Sequence, residues 1–270
     1  MSRFSRWLRP QPSPPPRPLK PFEHLLALPR YEVRTEMLFG QPFQIADGVS
    51  FYCSHEELIL NELYRFPTSN PAPRIVDCGA HCGLSVVYFK RLYPAAHVTA
   101  VEADPQIFDL LRANVSRRGL EDVTLINKAV AVGTEPVTFH REGADAGRIH
   151  ALAESLETIS VPTVSLDELL AEPVELLKLD VEGVESEVLC ASRGLKMVSQ
   201  LIVEYHSFVD SDQSLHQLLA TLADNGFRYK IQTQFCSPRP LVDEGCHLGM
   251  DLQLNIFATR TVCSAARQAA

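Results

Sequence analysis

After Pro73 the chain alternates short apolar runs with segments of helical period, and this alternation constrains the fold more than any other feature. The apolar runs are RIVDC, HVTAVEA, VTLINKAV, VELLKLD, QLIVEYH, RYKIQTQF and LQLNIFAT. Between them, Leu84–Tyr93, Pro105–Arg118, Leu166–Ala171, Ser186–Ala191 and Ser214–Gly226 read as helices. Strands that are apolar throughout are buried on both faces, so the pattern predicts an α/β fold with a mostly parallel sheet and helices on both faces. The last two runs follow one another with no helix between them, which predicts one antiparallel strand.

The segments outside this alternation differ in kind. Seven of the nineteen prolines lie between Pro10 and Pro21, and residues 1–20 contain no acid. They read as a disordered Pro-rich basic tail. Arg3, Arg6 and Arg9 beside Phe4, Trp7 and Leu8 give it the means for weak contact with a membrane surface. Residues 21–73 read as an N-terminal helical cap, with one helix over His55–Phe66 that the prolines at 67, 71 and 73 stop. Residues 74–260 form the main domain, and 261–270 a flexible C-terminal tail. Within the main domain, residues 131–163 break the rhythm. There VTFHRE and TISVPTVS read as a paired β insertion of the kind that covers a site.

Composition narrows the function. A net charge of −8 argues against nucleic-acid binding, which needs a basic surface. The absence of an eighteen-residue apolar run argues against a transmembrane segment. Seven cysteines at scattered spacing make no disulfide framework and point to a reducing, cytoplasmic setting. Cys78, His81 and Cys82 lack the second ligand pair that a zinc site needs.

The first apolar run ends in VDCGAHCG, Val76 to Gly83. In an open parallel sheet the ligand sits beyond the strand C-termini, where glycines let backbone approach it closely. The spacing is G-x-x-x-G, not the G-x-G-x-x-G of a dinucleotide site. Asp77 puts an acid where a pyrophosphate would lie, which suits a cationic ligand instead. Glu102 ends the second run about twenty residues later, where an acid can accept ribose hydroxyls. Together these residues favour S-adenosyl-L-methionine, which carries an ammonium and a sulfonium and no phosphate.

Two later runs also end in polar residues: Asp180 and Glu182 in KLDVEG, Glu204 and His206 in VEYHS. If the fold is as predicted, all four surround the methyl group or its acceptor. His206 suits the part of base for a hydroxyl acceptor, with Asp180 or Glu204 orienting it. Acids on adjacent strand ends can hold a divalent metal, but nothing in the spacing demands one, and no metal ligand is assigned. Arg141, Arg148 and Lys230 are candidates to anchor an anionic substrate. Base methylation usually brings an N/D-P-P-Y/F motif, and that place reads DVEG here.

IVDCGAHCGLS, VEADP, NKAV, VSLDELL and LLKLDVEGVESEVL stand in the order and spacing of the FkbM-type methyltransferases, which the chain resembles from about Glu56 to Phe208. The resemblance implies the class I methyltransferase (Rossmann-like) fold, with a seven-stranded sheet whose last strand is antiparallel. It implies S-adenosylmethionine as cofactor and O-methylation of a small molecule, sugar or other secondary metabolite. On the matched motifs the cofactor-binding set is Asp77, Gly79, Ala80, His81, Gly83, Ser85, Glu102, Ala103, Asn127, Ala129 and Asp180. The family usually has asparagine where this chain has His81. The alternatives are a carboxylate or amine methyltransferase, and a cofactor-binding protein without catalysis.

Overall fold

The computed structural model describes residues 20–141, 157–243 and 245–260. The tails, Arg148 and the centre of the insertion lie outside them. The N-terminal segment holds a short 3-10 turn (Glu23–Ala27), a hairpin of β1 (Arg34–Leu38) and β2 (Gln41–Ile45), and helix α1 (Gly48–His55). The alternating region holds β3 (Arg74–Cys78), α2 (Leu84–Leu92), β4 (His97–Glu102), α3 (Pro105–Arg117) and β5 (Val123–Asn127). Next come β6 (Ala129–Val130), β7 (Val137–Arg141), β8 (Glu157–Val161), β9 (Thr163–Val164) and α4 (Leu166–Leu169). The chain ends with β10 (Val174–Leu179), α5 (Glu185–Ala191), β11 (Val198–Phe208), α6 (Leu215–Asp224), β12 (Phe227–Cys236) and β13 (Met250–Arg260).

The main sheet has seven strands in the order β5-β4-β3-β10-β11-β13-β12. The five strands from β5 to β11 are parallel, and β13 runs antiparallel between β11 and β12. This is the class I methyltransferase arrangement. From β3 the chain builds outward through β4 and β5, then returns to the other side of β3 as β10. The strand order therefore switches between β3 and β10, and the crevice for a ligand opens at their C-terminal ends.

Side-chain alternation divides the core between the two faces of the sheet. Val76, Leu177, Leu179, Leu201 and Val203 pack with α4, α5 and α6. Ile75, Ala100, Leu176 and Ile202 pack with α2, α3 and the N-terminal segment. The second face continues along each strand to Asp77, Lys178, Glu102, Glu204 and His206, so the same alternation that buries the aliphatic residues gathers these polar ones. Cys78 packs in the first cluster and Cys82 in the second, so the two thiols lie on opposite sides of the sheet.

Three local expectations need correction. The helix predicted over His55–Phe66 starts and ends earlier. Asp47 caps it, accepting from the Ser50 N–H at 2.9 Å, and it closes in a π-helical turn over Glu56–Leu60. The β1–β2 hairpin was not foreseen; its turn is Phe39-Gly40, both at positive φ. The run VTLINKAV breaks at Lys128, where β6 leaves the sheet to pair in parallel with β9. The predicted pairing inside the insertion is present, with β7 and β8 antiparallel from Val137↔Val161 to Arg141↔Glu157.

Candidate active site

A cavity of about 610 Å³ lies over the switch point. At one end it is lined by Gly79, Ala80, His81, Ser85, Glu102, Ala103 and Ala129, and at the other by Asp180, Glu182, Glu204 and His206. Glu57, Leu58 and Tyr64 of the N-terminal segment close one wall.

The glycine loop is fixed from below. Gly79 has φ +80°, and a Cβ there would stand 1.8 Å from the Asp180 carbonyl oxygen, so only glycine lets the ends of β3 and β10 come this close. Gly79 and Ala80 both donate N–H to the Val101 carbonyl at 2.9 Å. His81 sits at φ +50°, a region that asparagine and histidine tolerate better than most residues, so the backbone accommodates the exchange. Gly83, at φ +90°, begins α2 against Leu111.

Asp77 does not line the cavity. Its side chain is fully buried beneath the loop, accepts from Ser85 Oγ at 2.6 Å, and stands 3.6 Å from Lys178 Nζ. Asp77 and Lys178 are register partners on adjacent strands. Lys178, its side chain 4% exposed, donates to the Gly79 carbonyl at 2.6 Å and pairs with Asp180 Oδ2 at 3.0 Å. Burial opposes its charge, but Asp180 and Asp77 outweigh burial and hold its pKa well above the ordinary value. One lysine thus ties the glycine loop to the KLD strand end. It was not among the predicted site residues, although a lysine inside the apolar run VELLKL is a visible signal.

Glu102 ends β4 and lines the cavity. Its Oε2 accepts from the His81 N–H and its Oε1 from the Asp104 N–H, each at 2.9 Å. An ionised carboxylate has about four acceptor positions, so two remain for a ligand in the cavity. Burial pushes its pKa up. Asn127 is outside the cavity lining; its amide donates to the carbonyls of Glu102 and Ala103 and braces that loop from behind. The donor set fits the expected cofactor: an acid at the ribose place, glycine backbone beside it, and carboxylates beyond for a cationic group.

The four residues predicted for catalysis do come together. His206 Nε2 lies 3.7 Å from Glu182 Oε2, 3.9 Å from Asp180 Oδ1 and 3.9 Å from Glu204 Oε1. Its Nδ1 is 2.9 Å from Glu185 Oε1, and both side chains are 1% exposed. The orienting acid is therefore Glu185, not Asp180 or Glu204. Glu185 also accepts from the N–H groups of Val181 and Gly183, so it caps the turn before α5. Gln253, the register partner of His206 on β13, donates to Glu204 Oε1 at 2.5 Å. Neither partner was among the predicted site residues, although Glu185 lies within the motif LLKLDVEGVESEVL; Glu185 is fixed by the turn and Gln253 by antiparallel register.

The electrostatics differ from expectation. Burial opposes charge on His206, but Glu182, Glu185 and Glu204 outweigh it and raise its pKa well above the ordinary value. Burial lifts Glu182 strongly, and lifts Glu204 to about 8 with Asp180 adding to the effect. These surroundings favour the imidazolium form of His206 over the free base.

Of the predicted anion anchors, Arg148 lies outside the described residues and neither of the others faces the cavity. Arg141 pairs with Asp104 Oδ2 at 2.7 Å and Glu157 Oε2 at 2.8 Å, and Lys230 lies exposed on β12, outside the cavity lining.

Residues 77–229, more than half of the chain, match the family model of the methyltransferase FkbM domain. Among curated proteins, Methyltransferase 1 of Beauveria bassiana is 24% identical over 245 residues, covering 76% of this chain and 96% of that protein. Methyltransferase sdnD of Sordaria araneosa is 28% identical over 232 residues, covering 67% and 87%. Among solved structures, methyltransferase FkbM from Methylobacillus flagellatus aligns with a TM-score of 0.45 at 18% identity, over 73% of this chain and 46% of the other. From the motifs and the family match, the chain belongs to the FkbM methyltransferases, a family of S-adenosylmethionine-dependent enzymes.

Proposed function

We propose that the protein is an O-methyltransferase acting on a hydroxyl of a small molecule, sugar or secondary metabolite. The observation that carries this reading is that one cavity joins Glu102 and the glycine loop to the Asp180–Glu182–Glu204–His206 cluster. Glu102 holds the ribose through its two remaining acceptor positions. Gly79, Ala80 and His81 present backbone to the amino-acid end. Ala103, Ala129, Ile107 and Phe139 make an apolar wall for the adenine. Asp77 and Asn127 act from behind by fixing the loops, and Ser85 and Lys178, at the cavity wall, hold Asp77 and the Gly79 carbonyl.

S-adenosylmethionine, when bound, supplies a methyl group on a sulfonium leaving group. The chain's own residues align the acceptor hydroxyl and receive its proton. Holding the reacting atoms in line is worth up to about 7–11 kcal/mol in favourable cases. The acceptor oxygen would take the methyl group and give up its hydroxyl proton to a carboxylate of this chain. We assign that part to Glu204, which Gln253 positions, rather than to His206, whose ring is tied to Glu185 and faces three acids. Burial here already disfavours charge on Glu182 and Glu204, so a further buried anion is unfavourable, which favours a hydroxyl over a carboxylate acceptor. Among the described residues no helix is long and apolar enough to cross a membrane.

The test is turnover with S-adenosylmethionine and a panel of sugars and hydroxylated metabolites, read as S-adenosylhomocysteine release with the product identified by NMR. A product methylated on oxygen supports the proposal. A product methylated only on nitrogen or a carboxylate overturns the O-methyl assignment. Glu204→Gln should lower kcat by about 10²-fold or more while cofactor affinity holds.

A further inference from the structure

We propose that Asp180, Glu182 and His206 bind a divalent cation of the Mn²⁺ or Mg²⁺ class, which receives the acceptor oxygen. The receiving role rests on the O-methyltransferase reading above. The sequence spacing alone demanded no metal; the tertiary geometry supplies the reason for one.

The argument begins with a gap. Three carboxylate oxygens face His206 Nε2 at 3.7–3.9 Å, too far for hydrogen bonds. The nearest polar atom on that side is the Gln253 amide nitrogen, at 3.4 Å. Ligand atoms of Asp180, Glu182 and His206 all lie within 4.8 Å of one another. A triangle with sides no longer than that contains a point within about 2.8 Å of every corner, about 0.7 Å beyond the roughly 2.0–2.1 Å metal–oxygen distance of Mg²⁺. A small inward shift of the carboxylates reaches those distances.

The second observation concerns the histidine. Its side chain is 1% exposed, and its Nδ1 is held by the equally buried Glu185 at 2.9 Å. This is the carboxylate–histidine arrangement that fixes a ring with Nε2 aimed at a metal; on binding, the cation takes the place of the Nε2 proton, which is released to solvent. The other members are also braced. Asp180 gives Oδ2 to Lys178 and turns Oδ1 toward the ring. Charge points the same way: among the described residues four carboxyl groups, Asp180, Glu182, Glu185 and Glu204, share two cationic groups, Lys178 and the ring, and a divalent cation would let the buried Glu182 and Glu204 ionise. Buried negative charge without compensation is unfavourable, and a divalent cation supplies compensation. Three protein ligands leave coordination positions open toward the cavity, where an acceptor hydroxyl bound to the cation becomes more acidic beside Glu204.

The experiment uses the full chain, stripped with a chelator and titrated with Mn²⁺ alone, with free Mn²⁺ followed by EPR. One bound Mn²⁺ per chain is expected, with nitrogen coupling from one imidazole in the pulsed EPR spectrum. Glu182→Gln and Asp180→Asn should each weaken binding at least tenfold. Glu185→Gln should weaken it by about 10–100-fold through the ring. Absence of bound Mn²⁺, absence of nitrogen coupling, or unchanged affinity in a folded Glu182→Gln protein overturns the cation site. Glu182 is the most informative position because its side chain has no hydrogen bond to the rest of the fold among those described. S-adenosylmethionine affinity is measured separately by calorimetry. Cofactor binding without Mn²⁺ binding sinks only the cation, whereas Mn²⁺ binding without cofactor binding sinks the O-methyltransferase reading.

Discussion

Replacing Glu102 tests the cofactor end most directly, because the structure separates its two tasks. The carboxylate accepts the backbone N–H groups of His81 and Asp104 and keeps two acceptor positions for a ligand. Glu102→Gln keeps the shape but has one oxygen. That oxygen can serve one of the two backbone donors, and the amide NH₂ then faces the other N–H. The loop loses one charge-assisted hydrogen bond, and a diol at the ribose place loses another. Each such bond is worth about 1.5–3 kcal/mol. The ligand's share corresponds to cofactor affinity weaker by about 10- to 150-fold, and the loop's share to a similar loss of folding stability. Glu102→Ala removes both tasks and should weaken binding at least as much. The assay is calorimetric titration with S-adenosylmethionine, alongside urea unfolding of each variant. Wild-type affinity in a variant that is folded and measurably less stable would refute the ribose role and leave Glu102 as a loop brace only.

Three further outcomes follow from the packing. Lys178→Met leaves Asp77 and Asp180 without their buried cation; urea unfolding should show a loss of about 3–5 kcal/mol, and Asp77→Asn in the same background should recover part of it. Gly79→Ala forces a Cβ against the Asp180 carbonyl at a φ of +80°, so the melting temperature should fall and cofactor binding should be lost together; an unchanged melting curve would contradict the close approach. Asp47→Ala removes the cap of α1 and the bonds to Arg30 and Tyr31, for a loss of about 2 kcal/mol at pH 7. Burial raises the Asp47 pKa, but the Ser50 N–H, Arg30 and the Tyr31 N–H outweigh it, so the folded value lies below the unfolded one. Its contribution is therefore complete above the unfolded value near 4 and lost as pH falls through the folded value. Stability measured against pH should show a shallower acid limb in the Asp47→Ala protein.

The local sequence determined the sheet and the address of the site. Runs such as RIVDC and VELLKLD are apolar at nearly every position because both faces are covered, and that property is visible without a structure. Glycines at 79 and 83 and acids at the strand ends mark where a ligand enters, because backbone turns and strand C-termini are local features. The tertiary structure decided what those residues do. Asp77 and Glu102 look alike in sequence, each an acid at a strand end. Strand register puts Asp77 against Lys178 beneath the loop and leaves Glu102 facing the cavity. His206 reads as a base from its own residue type. Glu185, twenty-one residues earlier, orients the ring, and together with the facing carboxyl groups it raises the ring's pKa. Gln253 enters only through antiparallel pairing, and Glu57 and Tyr64 only because the N-terminal segment folds over that face of the sheet. Periodicity is set by each residue's neighbours in the chain. A pKa or an open coordination gap is set by charges that become neighbours only when the strands align.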